Sequence, residues 1–164
     1  MGMQLPGELA SLLSMLGYTW PEADESKLVD MGQAWLGFAG TLGEPVGEAH
    51  GHAQLVATAG RAEGIAAFQQ AWGGAEAPHA NLEDARTAGQ LIGAGLMVCA
   101  AIVLALKINT IVQLALLAAE IAQAIATAVP TFGASLAEIP IFKEIASLII
   151  DQLISMALEA ILEG

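Results

Sequence analysis

Ala67-Phe68-Gln69-Gln70-Ala71-Trp72-Gly73-Gly74 is the stretch on which the fold turns. Phe68 and Trp72 stand four residues apart, so they share one face of a helix. Gly73 and Gly74 follow at once and stop that helix, because glycine enters the left-handed region without a steric penalty. After a loop over Ala75 to Ala80, helical patterning resumes at Asn81-Leu82-Glu83-Asp84 and meets no proline until Pro130. Helix, Trp-x-Gly turn, long helix is the organising unit.

Upstream of the turn, a helix over 45–72 is rich in small residues, among them Ala53, Ala57, Gly60 and Gly64. Interior glycines cost up to about 1 kcal/mol each relative to Ala, which is tolerable where a neighbouring helix comes close. Before it, Pro21 opens a helix over 21–42, with Glu22, Asp24 and Glu25 in a first turn whose dipole favours acids. Leu28, Met31, Trp35, Phe38 and Leu42 repeat at 3-4-3-4 spacing, a seam of the coiled-coil kind. Gly43 weakens the end, and Glu44-Pro45 starts the next helix. Trp20 precedes a proline and is pushed out of the α region. A short helix over 6–16 opens the chain, with Pro6 at its first position, Gly17 at its stop and Leu9, Leu12, Leu13 and Leu16 on one face.

Downstream, a helix over 80–129 would be roughly 75 Å long at 1.5 Å per residue if straight; Gly93 and Gly95 are where it would kink. Its second half carries a narrow polar stripe of Asn109, Gln113, Glu120, Gln123 and Thr127. Pro130-Thr131-Phe132-Gly133 ends it. After Pro140 a last helix over 141–163 has an equally narrow stripe, running from Glu144 through Asp151 to Glu163. Both helices are apolar around the rest of their circumference and need covering on more than one side.

Composition agrees with helices. The 164 residues are 55% hydrophobic but only 5% aromatic, so the apolar content is mainly Ala, Leu and Ile, and all-α is the class expected. Seventeen acids against five bases give a formal charge of −12. Such a chain repels phosphate backbones and has no basic stripe to track them, which excludes nucleic acid as a partner. Cys99 is the one cysteine and cannot close an internal disulfide; within Met97-Val98-Cys99-Ala100 it reads as a small buried hydrophobe. Met1-Gly2-Met3-Gln4-Leu5-Pro6 lacks a positive n-region and a cleavage site, so export without a cleavable signal peptide is the expectation if the protein leaves the cell.

The twenty uncharged residues between Arg86 and Lys107 approach the length that spans a ~30 Å hydrocarbon core. Gly89-xxx-Gly93 also fits the small-residue pattern of packed membrane helices. Aromatic belts are missing, however, and the run continues with scattered Gln, Thr and Glu. A helix buried among neighbours gives the same pattern, and both readings stand.

Nothing in the sequence assembles a reaction centre. His50-Gly51-His52 with Glu48 has the letters of a metal site, but residues two apart on a helix point to different faces. His79 is alone in a loop. No nucleophile elbow or phosphate loop occurs. The chain reads as a non-enzyme with no catalytic residue, no metal and no cofactor. Trp35, Phe38, Phe68 and Trp72 read as core, or as a partner surface, where Trp is favoured.

With Trp72-Gly73-Gly74 between two helices, the chain resembles the WxG family of type VII secretion substrates, leaderless helical hairpins that pair into four-helix bundles. Leu5-Pro6, Leu12-Leu13, Gly17, Trp20-Pro21-Glu22, Asp24-Glu25, Leu28 and Ala34-Trp35 look like the start of a larger WxG-like domain. So does Val129-Pro130-Thr131-Phe132-Gly133-Ala134-Ser135-Leu136-Ala137 further on. That domain heads actinobacterial type VII-secreted polymorphic toxins, including the CpnT-like mycobacterial toxins. The resemblance covers nearly the whole chain and implies an export and assembly domain ahead of a toxic C-terminal domain. It implies pairing with small WxG-family proteins, recognition by the type VII secretion machinery, and a secreted or cell-surface location. The family's export signal, Tyr-x-x-x-Asp/Glu, is matched in letters by Tyr18-Thr19-Trp20-Pro21-Glu22, which precedes the hairpin and contains a proline.

Four expectations follow. The chain is one all-α, WxG-like domain over 1–164, an elongated helical bundle built on a helix–WxG turn–long helix hairpin with extra N- and C-terminal helices. Trp72, Gly73 and Gly74 make the turn. Trp20, Trp35, Phe38, Phe68, Leu28 and Met31 pack or meet partners. Membrane insertion as a channel or translocation device is the rival function, and self-assembly as a plain scaffold a third.

Overall fold

The computed structural model describes residues 2–163. Its elements are α1 (Gly7–Met15), α2 (Glu25–Thr58), α3 (Glu63–Trp72), α4 (Pro78–Ala126), a 3-10 turn (Ala134–Glu138) and α5 (Ile139–Glu163), with no strand among the described residues. The protein is all-α. Two compact units are formed, one from Met1–Lys27 with Val98–Gly164, the other from Leu28–Met97. The helices α2 and α4 each contribute to both.

The elements correct the sequence reading in three places. The helix expected from Pro21 starts instead at Glu25, because Asp24 is the better cap: its Oδ1 accepts from the N–H of Ser26 at 3.1 Å and of Lys27 at 3.2 Å. The backbone N–H of Lys27, more than any other group, holds the Asp24 carboxyl below its usual range. Second, the separate helices 21–42 and 45–72 do not exist. The helix α2 runs through Pro45, an interior position that ordinarily costs about 3 kcal/mol. The helix is packed on both sides of the proline, where Ala39 and Ala53 are buried, and this burial offsets the lost bond. The break falls instead at Ala59–Ala62, next to Gly60. There Thr58 Oγ1 bonds back to the carbonyls of Gln54 and Leu55, and Gln69 Nε2 donates to the Ala57 carbonyl at 3.1 Å. Third, α4 begins at Pro78 rather than 80 and ends at Ala126 rather than 129.

In the first unit, α1 seats Leu13 against Leu114 of α4 and Ile150 of α5, with Leu9, Leu12, Leu16 and Ile154 around them. Tyr18 Oη donates to the Ser147 carbonyl at 3.1 Å, fixing the segment after α1 to α5. Burial, followed by the nearby Asp151 carboxylate, raises the Tyr18 hydroxyl above its ordinary range. The αL pair Phe132 and Gly133 turns the chain between α4 and the 3-10 segment.

One pair of opposite charges enters this apolar interior. Lys107 is 2% exposed, and its Nζ donates to Glu25 Oε2 at 2.8 Å and to the Ala23 carbonyl at 2.6 Å. The indole of Trp20 lies 5.8 Å away, within cation–π range, and the Met3 N–H donates to the other Glu25 oxygen. The Lys107 ammonium, then the Met3 N–H, hold the Glu25 carboxyl at about 2 against an ordinary 4.5. A carboxyl depressed on folding stabilises fully above its unfolded value and loses that contribution as pH falls through the folded one. Stability of this unit is therefore expected to hold from neutrality down to pH about 4.5. It should fall by on the order of 3 kcal/mol toward pH 2, as urea titrations across that range would record. A drop already complete at pH about 5 would contradict the pairing.

The second unit is a close crossing of α2 and α4. A Cβ on Gly93 would lie 2.9 Å from the Gly32 carbonyl oxygen and 2.7 Å from Leu36 Cγ; one on Gly32 would lie 3.0 Å from the Gly93 oxygen. One helical turn along, a Cβ on Gly89 would come within 3.2 Å of Ala39 Cβ. The Gly89-xxx-Gly93 pattern thus lets α2 approach within this unit.

Candidate partner interface

At the end of α3, the Trp72 ring stacks on His79 with centroids 4.4 Å apart and planes 13° apart. Phe68, one turn earlier, lies 5.9 Å from Trp72 at 23°. The indole Nε1–H points at His50 Nδ1, 3.5 Å away, and the two imidazoles are 5.9 Å apart. Trp72 therefore joins α2, α3 and the start of α4. His50 and His79, read from sequence as a polar helix residue and an isolated loop residue, are its partners. No spacing signal in the sequence pairs residues 50, 72 and 79.

The turn's glycines work differently from expectation. Gly73 is right-handed, at φ −80° and ψ −1°, and among the described residues the positive-φ glycines are Gly17 and Gly133. Gly73 N–H bonds to the Gln69 carbonyl at 2.9 Å and Gly74 N–H to that of Ala71 at 3.4 Å. What favours glycine here is crowding, since a Cβ on Gly73 would stand 3.3 Å from the Gln69 oxygen. Trp72→Ala removes the stack on three helices and should destabilise this unit by about 2 kcal/mol. Chemical denaturation followed by helical circular dichroism checks this; an unchanged midpoint would mean that the stack carries no weight.

The other predicted residues separate. Trp20 belongs to the first unit, where its Nε1 donates to the Met3 carbonyl at 3.2 Å; it serves packing there. Leu28 is half-buried. Met31, Trp35 and Phe38 come together with Ala34 on one face of α2 and line an open hollow of about 630 Å³. Trp35 and Phe38 meet edge to face at 5.9 Å and 86°. Both remain in water, at 39% and 46% exposure. A monomer rarely leaves two aromatics and a methionine in one exposed patch, and such a patch is where a partner gains most.

Exposure of apolar groups is general in this chain. Among the described residues, 26 large hydrophobic side chains are exposed, against 11 hydrophobic residues in the core. Two helical stretches, Pro78–Ala126 and Ala134–Glu163, are long and apolar enough to cross a membrane, with mean hydropathies of 2.4 and 1.8 in their most apolar windows. Only 22% and 11% of those windows are buried, unlike the core helix of a self-sufficient monomer.

Residues 4–149 match the WXG100-like domain, and the chain belongs to that family. No curated protein and no solved structure matches it. Membership makes it a helical protein associated with type VII secretion, a family whose members are typically exported and form helical homo- or heterodimers.

Proposed function

We propose that this chain is the export and assembly domain of a type VII-secreted toxin, non-enzymatic itself, which pairs with small WxG-family helical proteins. The observation that carries the reading is the α2 patch of Met31, Trp35 and Phe38, which stays solvated in the isolated chain. Apolar helix faces of this kind are covered when an amphipathic helix lays its own apolar face on them. The likeness of Trp20-Pro21-Glu22 and Pro130-Thr131-Phe132-Gly133 to toxin-leading WxG-like domains supports the toxin assignment. Co-expression with small WxG proteins encoded beside the gene should yield a complex that survives gel filtration. Trp35→Ala with Phe38→Ala should dissociate it while leaving helical content intact. A soluble monomer indifferent to those proteins would sink the proposal.

A second reading, membrane insertion of the apolar helices, is favoured by the sparse burial of the two long apolar stretches. Flotation with liposomes at neutral and acidic pH separates it from the first. Insertion predicts co-flotation and leakage, whereas pairing predicts neither once the partner is bound.

A further inference from the structure

The helices α4 and α5 pack antiparallel in the first unit and leave a groove on each side. On one side α1 fills the space, its Leu13 clustered with Leu114 and Ile150. The other side is open. Near one end, an open space of about 430 Å³ lies between Ile102 and Leu106 of α4 and Leu153 and Met156 of α5. Near the other, about 570 Å³ lies between Leu116 and Glu120 of α4 and Phe142 and Ile145 of α5. The α4 wall, Ile102, Leu106, Asn109, Gln113, Leu116 and Glu120, has 4-3-4-3-4 spacing. That is the register of a helix–helix seam, about 27 Å long from end to end.

We propose that this groove is a second docking site, for a single amphipathic helix with an apolar seam and Lys or Arg along its flanks. It rests on the reading of the chain as a partner-binding domain and adds a place and a charge to it. Charge selects the occupant. The first unit holds ten acids and three bases, and Lys107 is turned into the core. Glu120 stands in the groove wall, and helical register puts Glu159 and Glu163 on the α5 rim, beside Met156 and Ala160. A second copy of this chain would set these acids against their own kind. A bilayer would have to take Gln113 and Glu120 into hydrocarbon, where polar groups lack partners. A basic-flanked helix pairs the rim acids and covers the apolar seam.

The test uses the full chain and two labelled five-turn peptides with identical leucine seams, one flanked by lysines, the other by glutamates. The lysine peptide should bind at least about tenfold more tightly, and less so as salt rises. Ile145→Asp with Met156→Asp, both at exposed positions, should abolish binding without loss of helix. Glu120→Lys with Glu159→Lys should reverse the preference. Equal binding of both peptides, or binding indifferent to the groove variants, overturns the proposal. So does vesicle binding or self-association that the groove pair abolishes, since either would name another occupant. Peptide binding without capture of small WxG proteins would sink the proposed function and leave the groove standing; the reverse result would do the opposite.

Discussion

Glu25→Ala is expected to destabilise the unit built on Met1–Lys27 and Val98–Gly164 by about 3–5 kcal/mol, the largest single effect of any charge removal in the chain. The loss does not measure the strength of the ion pair. It measures the position of Lys107, which would stay in an apolar interior with one carbonyl, that of Ala23, left to answer its charge. The Met3 N–H would lose its acceptor as well. Glu25→Leu combined with Lys107→Met should recover most of the loss, because no charge then remains to be desolvated. Urea unfolding followed by Trp20 emission, with Trp35 and Trp72 replaced by Phe in every variant, reads both, since the Trp20 indole sits beside Lys107. If Glu25→Ala shifts stability by less than about 1 kcal/mol, the pair is a solvated one and the buried geometry is wrong.

Gly93→Val should be nearly as damaging, by about 3 kcal/mol or more. Two opposed effects meet at this position. Any β-carbon on a helical glycine gains up to about 1 kcal/mol from helix propensity. Here it would also stand 2.9 Å from a backbone oxygen, that of Gly32, and backbone does not move aside as a side-chain tip does. The steric term wins, and valine's second branch enlarges it. Gly95→Ala is the matched control, because nothing lies within 4 Å of its Cβ position. It should stabilise by about 0.5–1 kcal/mol. Thermal unfolding of the two variants should move in opposite directions; a parallel shift would mean that α2 and α4 do not cross at Gly93.

What was legible in the sequence was local. Ala, Leu and Ile with few aromatics announced helices, and the 3-4 spacing of Met31, Trp35 and Phe38 announced that they share a face. Trp72 at a helix end was legible for the same reason. The misplaced breaks have a common cause: propensity at Glu44-Pro45 favoured a stop, but burial of Ala39 and Ala53 outweighed it, whereas Gly60 had no such support. Partners distant in sequence were not legible. Lys107 lies 82 residues from Glu25, and Trp72 finds His50 22 residues upstream. The Gly89-xxx-Gly93 pattern told that something comes close, not that the visitor is Gly32. Exposure of the α2 patch depends on what fails to cover it, which no window of sequence contains.

Lys107 also settles a matter of position. Around Lys107, α4 is a run of Leu, Ile and Ala, and packing against the N-terminal segment distinguishes only weakly between settings one turn, about 5.4 Å, apart. The single ammonium removes that freedom. Any slip carries Nζ away from both Glu25 and the Ala23 carbonyl into hydrocarbon surroundings, and one setting becomes far better than those next to it. The charge therefore acts as an address: it tells a repetitive helix which of its many similar turns lies against the N-terminal segment.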